Sequence, residues 1–178
     1  MITRSRLLLI IGSGAAALLA LGLWPAGAVP SRASSMQAED IASVRVEKAS
    51  RRLVLIGHDG KPLRVYEGIQ LGDAPVGHKQ FEGDERTPEG RYVIDYGNPD
   101  SAYHLSLHIS YPDAQDRAFA ESQGRSAGGN IFIHGQPNAL PVGRMTGDWT
   151  DGCIALSNQE IEELWSFIGN GTPIEIAY

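Results

Sequence analysis

The feature that most constrains this chain is a series of short runs in which apolar and polar side chains alternate with a period of two. In residues 43–49, Val44 and Val46 alternate with Arg45 and Glu47, the pattern of a strand with one buried face. Residues 52–56 continue it. His58-Asp59-Gly60-Lys61 then sets Asp-Gly at the centre of a hairpin turn and returns 63–68 as the partner strand. Thr87-Pro88-Glu89-Gly90 is a second turn, with Pro and Gly where such turns favour them. It feeds a strand over 91–96 with Tyr92, Ile94 and Tyr96 on one face. Over 103–109, Leu105, Leu107 and Ile109 point one way and His104, Ser106 and His108 the other. A short apolar strand over 130–134 ends in His134-Gly135, and 172–177 reads as the last strand.

Two segments carry a helical signal instead. Residues 113–123 follow Pro112 and stop at Gly124. Ser157-Asn158-Gln159-Glu160 is a capping box that opens a helix to about residue 168, with Ile161, Leu164, Trp165 and Ile168 on one face. Strands outnumber helices and no alternating βαβ rhythm occurs. The expectation is a mainly β fold with two helices, of α+β type and largely antiparallel.

At 178 residues with 42% hydrophobic, the chain suits one domain with a real core. Its net charge of −6 argues against nucleic acid as a partner, because counterion release needs clustered Lys and Arg. One cysteine excludes an internal disulfide framework.

Arg4 and Arg6 precede an 18-residue apolar run over 7–24, and Ala26-Gly27-Ala28 offers a small-residue cleavage site. This reads as a secretory signal peptide over 1–28, with an uncleaved membrane anchor as the alternative. Cleavage after Ala28 leaves 150 residues with a net charge of −8. Residues 29–40 read as a linker and 41–178 as the folded domain. On either reading the domain is exported to the periplasm or cell envelope, and touches a membrane only through an uncleaved leader.

The chemistry concentrates around Cys153, in Thr150-Asp151-Gly152-Cys153. A buried, inert thiol is the ordinary fate of a free cysteine. An unpaired thiol in an exported chain is also an oxidation liability, so a nucleophile is the sharper alternative. A thiol needs a base near neutral pH, and His134, at a strand end, is placed to be one. A satisfied core histidine is the competing reading.

His134-Gly135, followed by Thr150-Asp151-Gly152-Cys153, resembles the signature of the YkuD-type L,D-transpeptidases, cysteine enzymes of peptidoglycan. The stretch from Gly77-His78-Lys79 to Thr87-Pro88-Glu89-Gly90 is also similar, and the likeness covers about 41–177. It implies a β-sandwich-like catalytic domain in which Cys153 is the nucleophile and His134 the general base and acid. The N–H groups of Gly152 and Cys153 would form the oxyanion hole, and Thr150 would support the loop or the histidine. Where family members often have His between Ser/Thr and Gly, this chain has Asp151. Where many have Arg two positions after the cysteine, it has Ala155. Both departures resemble the YafK-like branch.

The implied substrate is the peptidoglycan stem peptide, cleaved between its diamino acid and D-Ala, with no cofactor and no metal. An amine acceptor makes the enzyme a transpeptidase. Water makes it a carboxypeptidase, or an amidase that frees a wall-linked lipoprotein. Stem carboxylates call for local cations, and Lys79, Arg86, Arg125 and Arg144 are candidates. Trp149 is placed to wall the cleft. His104 and His108 share a strand face and would line the groove or lie on a polar sheet face. With His134 they form a rival zinc set, although no H-E-x-x-H helix accompanies them. A non-catalytic wall-binding module is a further alternative.

Overall fold

The computed structural model describes residues 36–140 and 142–178, so the apolar leader and most of the expected linker lie outside the described residues. The seven runs and one further two-residue strand, β7, make eight strands: β1 (Ile41–Glu47), β2 (Arg52–Gly57), β3 (Pro62–Glu67), β4 (Gly90–Ser101), β5 (His104–Ile109), β6 (Ile131–His134), β7 (Ile154–Ala155) and β8 (Thr172–Ala177). They make one sheet in the order β3-β2-β1-β8-β4-β5-β6-β7. Pairing is antiparallel except at β1–β8 and β6–β7. The two ends of the sheet are drawn together just beyond β3, where Gln70 bridges to Ala155 and Gly72 to Thr150.

The inward positions supply the core, with Val44, Leu53, Leu55, Ile109, Ile133 and Ile154 fully buried. Two helices flank the sheet, α1 (Ala114–Ser122) and α2 (Asn158–Phe167). Both begin with side-chain caps: Ser157 accepts from Glu160 as expected, and Asp113 from Gln115 and Asp116. Ile161 and Leu164 of α2 are fully buried, worth about 1.5–3 kcal/mol each. Gly97 lets α2 pack closely, because a Cβ there would stand 2.5 Å from the Trp165 ring. Among the described residues, no helix is long and apolar enough to cross a membrane.

One expected face is corrected. Ile94 pairs with Ile109 but Tyr96 with His108, so β4 carries one extra residue there. Such a bulge reverses the direction of the side chains beyond it. Tyr92 and Ile94 stay in the core, while Tyr96 turns out and stacks on His108 at 4.5 Å between ring centroids.

Candidate active site

Cys153 and His134, 19 positions apart, are brought to one cleft by the short parallel ladder of β6 and β7. Ile133 pairs with Ile154 and His134 with Ala155. Cys153 therefore lies level with Phe132, whose N–H donates to Sγ at 3.4 Å. The thiol in turn donates to the Asn130 carbonyl at 3.6 Å. Both Cys153 and His134 line one cleft of about 930 Å³ with Lys79, Tyr103, Trp149, Thr150 and Asp151.

His134 is buried, its ring packed 4.7 Å from that of Tyr103 and 5.6 Å from that of Trp149. Its Nδ1 lies 2.7 Å from the Gly135 carbonyl oxygen. A carbonyl can only accept, so Nδ1 carries the hydrogen and Nε2 keeps a free lone pair. A backbone carbonyl thus orients the imidazole. Asp148 is committed elsewhere, to Arg51 at 2.6 Å and the Leu71 N–H at 2.8 Å.

The electrostatics favour neutral partners at rest. Burial holds the imidazole below its ordinary pKa, opposed by the Gly135 carbonyl. Burial also pushes the Cys153 thiol up to about 11, opposed by the Phe132 N–H. The Asp151 charge raises it further, and the Lys79 charge opposes.

Thr150 braces the cysteine turn. Its Oγ1 donates to the Cys153 carbonyl at 2.8 Å and accepts from the Gly152 N–H at 3.2 Å. That changes the expectation for the oxyanion hole: the Gly152 N–H is already engaged, which leaves the Cys153 N–H as the candidate donor. Gly152 itself is required by space and backbone together. Its φ is +128°, and a Cβ would stand 2.5 Å from the Arg86 carbonyl oxygen.

Other expected site residues fall inside and outside the cleft. Gly135 packs with no room to spare, since a Cβ would stand 2.7 Å from Asn158 Oδ1. Arg144 is not part of the cleft. It lines a separate hollow with Arg51 and Gly68, and its guanidinium is held by the Gly68 carbonyl and the Glu160 carboxylate. Its place in the chain between the two motifs misled, because a buried amide pair redirects the loop. Gln136 Nε2 donates to Gln70 Oε1 at 3.1 Å, and Gln136 Oε1 accepts from the Met145 N–H at 2.8 Å. Arg125 lies over the Phe81 ring.

His108 is held by Asp95 at 2.6 Å and packs on Tyr96 and Phe132; Phe132 lines the cleft, and His108 does not. His104 is held by Glu162 at 2.7 Å. The zinc set is not assembled: among the described residues no group of three His, Cys, Asp or Glu could hold a metal ion. Sequence reasoning missed Tyr103, whose ring covers His134. Its spacing marked it only as a strand residue.

A thiol and an imidazole with one free nitrogen thus line one cleft of a curled β fold, placed there by a two-stranded ladder. The chain belongs to the family whose catalytic domain is that of the L,D-transpeptidases of YkuD type, whose model matches residues 42–176. It is 28% identical over 129 residues to YafK of Escherichia coli (strain K12), whose name assigns it provisionally to the L,D-transpeptidases; the match covers 70% of this chain and 46% of YafK. The similarly named YkuD of Bacillus licheniformis is 27% identical over 69% of this chain and 64% of its own length. The chain therefore spans less than two thirds of these relatives. Among solved structures, the helical cell shape determining protein Pgp2 of Campylobacter jejuni is 29% identical with a TM-score of 0.62, over 76% of this chain and 47% of Pgp2. Bd1075 of Bdellovibrio bacteriovorus is 25% identical with a TM-score of 0.55, over 79% of this chain and 48% of its own.

Proposed function

We propose that this domain transfers acyl groups between peptidoglycan stem peptides, with Cys153 as nucleophile and His134 as its base. The observation that carries the reading is the tautomer of His134. Its Nδ1–H is tied to the Gly135 carbonyl, which leaves Nε2 its lone pair, and His134 lines the cleft that also holds the thiol. In this mechanism His134 Nε2 takes the thiol proton as Sγ attacks the carbonyl of the diamino acid at stem position three. The Cys153 N–H donates to the resulting oxyanion. Collapse expels D-Ala, whose amine receives the proton back from His134, and leaves a thioester on Cys153. An amine from another stem, or from a protein anchored to the wall, gives up a proton to His134 and attacks the thioester. The new amide forms and Cys153 leaves as the thiol.

Because burial disfavours both charges, the proton moves during attack, not beforehand. The charged-then-apolar leader supports action outside the cytoplasm. The likeness to Pgp2 supports a part in cell shape. Hydrolysis of the same thioester gives carboxypeptidase action, or release of a wall-linked lipoprotein if that bond is the one attacked.

The test is mass analysis of purified muropeptides incubated with the full chain and with Cys153→Ala. Crosslinked dimers from the native chain, and none from the variant, are expected. Loss of D-Ala without dimers would replace transfer by hydrolysis. Wall binding with no covalent change in either protein would leave a binding module.

A further inference from the structure

Lys79 is 3% exposed, yet it lines the cleft that holds Cys153. A buried ammonium carries three N–H donors, and each unfilled one is costly. Lys48 shows how this fold fills such a group: its Nζ donates to the Gly77 carbonyl, the Thr87 carbonyl and Glu89, at 2.7, 2.9 and 2.8 Å. The Lys79 ammonium has a single hydrogen-bond partner among the described residues, Asp84 at 2.9 Å.

Asp84 is itself fully supplied with donors. Burial alone would raise its pKa, but the N–H groups of Gln80, Phe81 and Arg86, with Lys79, hold it below the carboxylate range. Lys79 spends one of its three N–H donors on this carboxylate. The ammonium therefore retains donor capacity, and it is the sole Lys or Arg among the residues lining the cleft. The other charged groups there, Glu82 and Asp151, are acidic and exposed.

We infer that Lys79 is the anion subsite of this cleft, where its spare ammonium donors receive a carboxylate of the peptide that reacts at Cys153. This rests on the reading of Cys153 as the reacting group. It makes Lys79 a specificity residue that selects acids over amides. Arg144 cannot serve, since it lines a separate hollow and not this cleft.

The lone cysteine gives a readout that does not require turnover. In the full chain, N-acetyl-D-alanine should protect Cys153 saturably against alkylation by iodoacetamide, and N-acetyl-D-alanine amide should protect on the order of tenfold less. Lys79→Gln should erase the difference, and Lys79→Arg should restore part of it. Added salt should weaken protection by the acid only modestly, because a buried charge is poorly screened. Equal protection by acid and amide in the native chain would overturn the inference, even if Lys79→Gln failed to fold. So would acid selectivity that survives in a folded Lys79→Gln. A chain that protects selectively yet leaves muropeptides unchanged would keep the subsite and discard the transferase. Crosslinking without acid selectivity would do the reverse.

Discussion

At the scale of single residues, the cleft is set by what burial does to two titratable groups. It raises the Cys153 thiol to about 11 and lowers His134, so each disfavours its charged form. Alkylation of Cys153 by neutral iodoacetamide should therefore keep climbing with pH beyond 9. A plateau already reached near pH 7 would mean a preformed thiolate–imidazolium pair and would refute the neutral resting state. The same burial affects stability. The folded pKa of His134 lies below its unfolded value of about 6.5, so in the window below that value the unfolded chain binds a proton that the fold refuses. Stability is fully present above about 6.5 and is lost as pH falls through the lower folded pKa.

At the scale of elements, one fully buried side chain ties the loop between β3 and β4 to the end of β1. Lys48, just past β1, is fully buried, and its ammonium holds Gly77, Thr87 and Glu89. Burial pushes its pKa down and Glu89 opposes that. Lys48→Ala would strand Glu89 and two carbonyls, at a cost of about 3 kcal/mol. Urea unfolding measures this, and a loss below about 1 kcal/mol would show that the pair is dispensable.

Strands such as β1 and β5 were legible because alternation is local, and α2 because its cap and apolar face are contiguous in sequence. The two-residue β7 was not, since so short a run carries no period; only its pairing with β6 defines it. The outward turn of Tyr96 depends on a bulge against β5 that spacing along β4 does not reveal. The His-Gly and Gly-Cys motifs lead into one cleft for the same local reason. The Gly135 carbonyl on Nδ1, the Tyr103 ring and the diversion of Arg144 are contacts fixed by packing, and no spacing rule announces them.

At the scale of the whole molecule, the cleft depends on the two ends of the sheet staying together. Gly72 lies where they meet, bridging to Thr150 while its N–H donates to Thr87 Oγ1 at 3.2 Å. A Cβ on Gly72 would stand 2.1 Å from the Glu85 carbonyl oxygen and 3.1 Å from Gly152 Cα. Both neighbours are backbone, so relief requires the 84–86 loop and the cysteine turn to move apart. Gly72→Ala should cost about 3 kcal/mol and open the cleft, so that Cys153 is alkylated faster at a pH where the fold persists. Gly143→Ala is the control. Its Cβ would meet open space, but its φ of +93° carries backbone strain, so it should cost about 1 kcal/mol and leave the alkylation rate alone. If both variants lost the same stability and Cys153 reacted at the native rate in each, the contact at Gly72 would not be what holds the cleft closed.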